Sequence, residues 1–107
     1  MHERKALMVE LSDGFIALPG GFGTFEEFCE IVTWAQLGLH SKPVGLLNID
    51  SYYDPLIAQF DRAVSEEFAY PENRSLVLHE TDPDRLLDLM DAYRPAKVEQ
   101  WIDPDEA

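Results

Sequence analysis

Apolar residues follow two rhythms along the chain. The unbroken run Phe15-Ile16-Ala17-Leu18 and the apolar-rich residues 43–49 read as buried strands of a parallel sheet, and residues 76–79 read as a third short strand. Between them apolar positions recur at helical spacing. Leu7, Met8 and Leu11 form a stripe within residues 3–12, and Phe25, Phe28, Cys29, Ile31, Val32, Trp34, Ala35 and Leu37 fill residues 25–37. Leu56, Ile57, Phe60 and Val64 mark residues 55–68, and Pro83 introduces a last helix carrying Leu86, Leu87, Leu89 and Met90. The order α-β-α-β-α-β-α predicts an α/β fold, with a parallel sheet, right-handed crossovers and flanking helices, half of a doubly wound architecture. Three strands are few for that plan, so one edge of the sheet is expected to need a partner.

Turn residues punctuate these elements. Ser12-Asp13-Gly14 is turn chemistry, and Gly38 suits the residue just past the end of the central helix, with Leu39 placed for the accompanying apolar contact. That helix is apolar nearly all round, which predicts deep burial or a place in a subunit interface. Arg4 falls on the apolar stripe of the first helix, where a cation is expected to meet a carboxylate or a ligand, or else to snorkel off the helix start. Lys5 beside it reads as solvent-facing. Thr33 shares a helix face with Glu26 and Glu30 and is expected to bond back to its own helix.

The most informative stretch is Pro19-Gly20-Gly21-Phe22-Gly23-Thr24-Phe25-Glu26-Glu27, a glycine loop between the first strand and the central helix. Glycines at 20, 21 and 23 would permit positive φ and let backbone N–H groups approach a ligand at the positive end of a helix dipole. Thr24 with Glu27 fits a capping box, which places the helix start at Thr24 and two acids in its first turn. The loop is either a tight turn into a capped helix or a phosphate cradle. It matches neither the Walker pattern nor the dinucleotide fingerprint G-x-G-x-x-G. If phosphate and carboxylates share one site, the phosphate must lie on the glycine amides and a carboxylate must face another part of the ligand.

Charge narrows the partners. With 8 Lys and Arg against 21 Asp and Glu, the formal net charge of the 107 residues is -13, which disfavours nucleic acid or an anionic membrane. The chain fits at most one small domain, residues 1–94, followed by an acidic tail at 95–107. Cys29 is the only cysteine, so no intrachain disulfide forms. Without a leader or a membrane-length apolar run the chain reads as cytoplasmic. Cys29 is expected as a buried small hydrophobe. His2, His40 and His79 lack metal-ligand spacing, so neither a metal nor another cofactor is expected.

Met1-His2-Glu3-Arg4-Lys5 followed by the Pro19 to Glu27 motif resembles the cytokinin-activating Lonely Guy family, nucleoside 5′-monophosphate phosphoribohydrolases once widely labelled lysine decarboxylases. The similarity continues through Thr33-Trp34-Ala35-Gln36-Leu37-Gly38 and Lys42-Pro43-Val44-Gly45-Leu46-Leu47-Asn48 to the Tyr52-Tyr53 loop, about residues 1–90. It implies a Rossmann-like homodimer that hydrolyses the N-glycosidic bond of an adenosine-type 5′-monophosphate. Arg4 and Glu27 would be catalytic, and Gly20, Gly21, Phe22, Gly23 and Thr24 would bind phosphate. Lys5, Glu26 and Thr33 would line the substrate site. Family members normally carry an upstream half with the first strands and another glycine-rich loop, so the resemblance implies the C-terminal portion of such a domain.

The chemistry is consistent with those residues. Breaking an N-glycoside builds positive charge on the ribose, which a carboxylate such as Glu27 can stabilise while it activates water. Arg4 would pair with that glutamate or grip the phosphate. Two other readings use the same scaffold: a non-catalytic nucleotide- or cofactor-binding carrier, and a truncated module that dimerises through the helix around Trp34.

Overall fold

The computed structural model describes residues 2–94, leaving aside the side chains of His2 and Lys5; residues 95–107, expected as an acidic tail, lie outside the described residues. The elements are α1 (His2–Leu11), β1 (Phe15–Ala17), α2 (Phe22–Gln36), β2 (Val44–Leu47), a 3₁₀ turn (Ile49–Ser51), α3 (Asp54–Ser65), α4 (Pro71–Arg74), β3 (Val77–Glu80) and α5 (Pro83–Ala92). The strands form a parallel sheet in the order β1-β2-β3. Phe15, Ile16 and Ala17 pair with Val44, Gly45 and Leu46, and Val44 to Leu47 pair in turn with Val77 to Glu80.

All four residues of β2 are buried, as a central strand covered on both faces requires. On one face Val44 and Leu46 join Phe28 of α2, Tyr53 and Val77, with Ile57 and Phe60 of α3 packed against them. The Phe28 and Phe60 rings stack at 6.4 Å and 17°, fastening α2 to α3. On the other face Leu86 of α5 is fully buried against Gly45, where an added Cβ would lie 2.9 Å from Leu86 Cδ1. Full burial of such a leucine is worth about 1.5–3 kcal/mol. The absence of a side chain at Gly45 is what lets α5 settle on the sheet.

The end of α2 follows the sequence reading closely. Gly38 has φ 77°, its N–H donates to the Ala35 carbonyl at 3.0 Å, and the Leu39 N–H donates to the Trp34 carbonyl at 2.9 Å. Those two bonds are the Schellman pattern. Other expectations are corrected. Within α2 only Phe28 and Ala35 are buried, and Cys29 is exposed instead of sitting in the core, because the core contacts come from a narrower face of the helix. The third helix stops at Ser65, and Glu67 with φ 66° turns the chain and leaves Phe68 88% exposed. A short helix, α4, was not anticipated. In α5 Leu86 is buried whereas Leu87 and Leu89 are exposed.

The first helix is the largest departure. Val9 is its buried residue, and Leu7, Met8 and Leu11, expected to face inward, are exposed. Arg4 is exposed with them, so no buried cation needs a partner. Periodicity marks an apolar stripe but does not supply an element to cover it. What secures α1 is Lys42, whose Nζ donates to the carbonyls of Val9 and Glu10. The last turn of α1 has no basic residue of its own, so Lys42 places a cation at the negative end of the helix dipole. Among the described residues β1 pairs with β2 alone, and Ile16 and Leu18 beside its outer edge are exposed.

Candidate active site

Parallel strands bring their C-terminal ends to one side, and in open α/β sheets ligands bind in the crevice there. Three chain segments meet at that side: the glycine loop after β1, the segment from Asn48 to Tyr53 after β2, and the start of α5 after β3. The Asn48 N–H donates to the Glu80 carbonyl at 2.8 Å, joining the second and third of them. The Glu80 carboxyl is held below the ordinary carboxylate value, chiefly by the Thr81 backbone N–H at 2.8 Å.

The glycine loop differs from its expected geometry. Helix α2 starts at Phe22 with Gly21 as N-cap (φ -111°, ψ -151°) and no side chain capping it. Thr24 is therefore the third residue of the helix, and Glu26 and Glu27 fall in its second turn. The capping box is not formed, because glycine at 21 already makes an acceptable N-cap and the chain turns helical earlier. Nor do Gly20, Gly21 and Gly23 use positive φ, which among the described glycines occurs only at Gly38.

The loop glycines serve by being small. A Cβ added to Gly20 would lie 2.3 Å from Thr24 Oγ1, so Gly20 is needed for packing within the loop. A Cβ on Gly21 or Gly23 would meet nothing within 4 Å. The first helical bond is Phe25 N–H to the Gly21 carbonyl at 3.0 Å, so the amides of Phe22, Gly23 and Thr24 precede the helical ladder. Open space over glycine backbone, next to free-end amides and the positive end of a dipole, suits an anionic oxygen cluster such as phosphate. Phe22 is 90% exposed beside this loop, its ring edge-on to Phe25.

Glu27 and Thr24 line a cleft of about 450 Å³ whose remaining walls are mostly apolar, with Met8, Leu18, Phe28 and Ile31 among them. The structure thus brings Pro19 and Thr24 at the two ends of the loop together with Glu27, whereas Gly20, Gly21, Phe22 and Gly23 do not line the cleft. Arg4 does not line the cleft. It lies one turn before Met8, and residues four apart share a helix face, so Arg4 is on the face of α1 that reaches the cleft. Lys5 belongs to α1, and its side chain is outside the described residues.

The remaining candidates fall on another face of α2. Thr33 Oγ1 donates to the Cys29 carbonyl at 2.7 Å, the expected back-bond, and both residues line a second cleft of about 190 Å³. Glu26, seven residues before Thr33, shares that face by helical spacing. Within this chain Thr33 therefore stands apart from Glu27. Partial burial pushes the Cys29 thiol up from its ordinary value, which opposes a nucleophilic thiolate. Among the described residues no three His, Cys, Asp or Glu side chains gather as metal ligands, and no helix is long and apolar enough to cross a membrane.

Residues missed by the sequence reading brace the loop from behind. The hydroxyl of Tyr53 donates to the Leu18 carbonyl, and that of Tyr52 to the Gly20 carbonyl. Asn48 is buried, with Oδ1 accepting from the Tyr53 N–H and Nδ2 donating to Asp54 Oδ1, both at 2.7 Å. Bonds spanning 35 and 32 residues leave no local pattern, and only the paired tyrosines after a buried strand hinted at them.

Comparison with known proteins gives the family. Residues 1–90 match the family model described as "Possible lysine decarboxylase". The chain is 54% identical over 95 residues to "Probable cytokinin riboside 5'-monophosphate phosphoribohydrolase LOGL6" of Oryza sativa subsp. japonica, covering 89% of this chain and 38% of that protein. It is 50% identical over 95 residues to "Cytokinin riboside 5'-monophosphate phosphoribohydrolase LOG2" of Arabidopsis thaliana, covering 89% of this chain and 45% of that protein. The chain thus spans less than half the length of these two relatives. With the family model matched across the motifs at residues 1–5 and 19–27, the chain belongs to the Lonely Guy family.

Proposed function

We propose that the chain carries the phosphate loop and catalytic carboxylate of a phosphoribohydrolase acting on adenosine-type 5′-monophosphates. The observation that carries this reading is the placement of Glu27 in the same cleft as Thr24, beside a glycine loop with open space at the Cβ positions of Gly21 and Gly23. The substrate phosphate would lie on the amides of Gly21 to Thr24, which draws the ribose toward Glu27. The carboxylate takes a proton from water as the oxygen attacks C1′, and the C1′–N9 pair leaves with the base. One water is consumed, its hydroxyl going to ribose 5-phosphate and its proton to the released base. As the C1′–N9 bond stretches, positive charge on the ribose is offset by the same carboxylate. Such base catalysis is worth a factor of about 10²–10⁴.

Arg4, on the face of α1 that reaches the cleft, would pair with Glu27 or hold the phosphate, and Lys5, Glu26 and Thr33 would contribute to substrate binding. A homodimer is part of this reading. It is supported by the apolar residues left exposed at the end of α2 and after α3, Leu37, Leu39 and Phe68. In a dimer Thr33 would have a second surface to serve. Light scattering at the monomer mass would overturn the dimer, and a single cysteine with no disulfide fits a cytoplasmic setting.

The test is incubation of the chain with AMP and with N6-isopentenyladenosine monophosphate, with free base measured by chromatography. Release that falls about 10²–10⁴-fold in Glu27→Gln is the expected result. Unchanged release in that variant would remove Glu27 from the chemistry. AMP binding without any release over hours would favour the carrier reading.

A further inference from the structure

We propose that Tyr52 and Tyr53 are positioning residues that set the direction of the Gly21 amide, and through it the phosphate affinity of the glycine loop. The proposal rests on the phosphate assignment above for its consequence in binding, but its structural content stands on the loop itself.

In a trans peptide the C=O and the following N–H point in opposite directions. Tyr52 holds the Gly20 carbonyl, so the Gly21 N–H in the same peptide plane is turned away from the tyrosine ring. The space on that residue is open, with nothing within 4 Å of the position a Cβ would take. A Gly-Gly peptide has few steric restraints of its own, so this plane would otherwise flip readily. Tyr53 acts one step earlier. It holds the Leu18 carbonyl in the peptide before Pro19, where no N–H exists to be oriented, and so fixes the stem from which the loop departs.

The brace is itself anchored. Tyr53 is buried, its N–H is held by Asn48, and its ring lies edge-on to Tyr52 at 5.1 Å and to Phe25 at 6.4 Å. Two successive residues of the β2–α3 connection thus grip two carbonyls of the β1–α2 connection. A chain that needed only a turn at Gly20 would not require carbonyls two residues apart to be fixed by separate hydroxyls.

Tyr52→Phe removes one hydroxyl and keeps the ring, and Tyr52 is exposed enough for the variant to fold. Two measurements on the full chain decide the proposal. Without ligand, the residual dipolar coupling and hydrogen exchange of the Gly21 amide are compared between the wild type and Tyr52→Phe. A changed coupling and faster exchange, with the melting temperature lowered by no more than a few degrees, are expected, and an unchanged amide would overturn the proposal. With ligand, AMP affinity should fall about 3–10-fold, the worth of one hydrogen bond, while adenosine binding stays the same. Equal loss for both ligands would make the tyrosine merely structural. Wild-type protein that fails to bind AMP would sink the phosphate assignment, leaving the Gly21 comparison to judge the brace alone.

Discussion

Gly20 and Thr24 are packed so tightly that a Cβ on the glycine would come within 2.3 Å of Thr24 Oγ1 and 2.9 Å of Thr24 Cβ. Rotating the threonine can move its hydroxyl but not its Cβ, so Gly20→Ala must shift the loop backbone. A destabilisation of about 1–3 kcal/mol is expected from such overpacking, with loss of AMP binding. Gly23→Ala should do the reverse to the fold. It lies in α2 with open space around it, and an alanine there would stabilise the chain by about 0.4–1 kcal/mol while intruding on the proposed phosphate position. Chemical denaturation and AMP titration of both variants check this. A destabilised Gly23→Ala would show that the space is not open.

The contrast between these glycines also marks what a sequence conveys. The three strands were legible as short apolar runs alternating with helical patterns, although only β2 proves buried along its whole length, and Gly38 was legible because its position past a helix suits positive φ. Thr24 and Glu27 share one cleft, since they lie within a turn of each other on α2. The start of α2 was misread, because Thr24 and Glu27 satisfy a capping pattern that Gly21 pre-empts. The orientation of α1 was misread because Leu7, Met8 and Leu11 announce a face and not its neighbour. The tyrosine brace was missed because side chain to backbone bonds across the sheet have no local signature.

Asn48 is the keystone of the tyrosine segment. Asn48→Ala would leave the buried Tyr53 N–H without its acceptor, at a cost of about 1–3 kcal/mol. Asn48→Asp keeps an acceptor for that N–H but sets a second carboxylate against Asp54 in place of a donor. It should recover only part of the loss. Urea unfolding of the two variants at neutral pH measures this, and an aspartate variant less stable than the alanine variant would contradict it.

Tyr53 predicts the alkaline limit of the fold. Burial, with a smaller contribution from Tyr52, raises its phenol above the ordinary value of 10.0, so the neutral hydroxyl is favoured in the native state. Because the unfolded chain ionises first, the stability linked to Tyr53 is complete below about pH 10 and is lost as pH rises through the native value. Burial raises Tyr93 in the same sense, so the two contributions add. Unfolding free energy should fall above pH 10, and Tyr53→Phe should lessen that slope without abolishing it. A slope identical in the wild type and Tyr53→Phe would exclude this role.

Lys42 tests whether the helix bearing Arg4 depends on a single side chain. Its ammonium meets the carbonyls of Val9 and Glu10 at the end of α1, and Val9 is the one strongly buried residue among the described side chains of that helix. Replacing the cation by an apolar chain of similar length, Lys42→Met, keeps the packing of the stem but removes the interaction with the helix end. A loss of about 0.3–2 kcal/mol follows from a cation at a helix C-terminus, the upper part applying where the group is partly buried. The loss should be local. Amides of α1 would exchange faster while those of β2 and α5 keep their protection, because Leu86 and Gly45 hold the sheet without help from α1. If Arg4 serves the cleft, Lys42→Met should also weaken AMP binding, although Lys42 is not among the residues lining the cleft. Uniformly faster exchange across all three elements would show instead that α1 is part of the global folding unit, and unchanged exchange in α1 would show that Lys42 does not hold it.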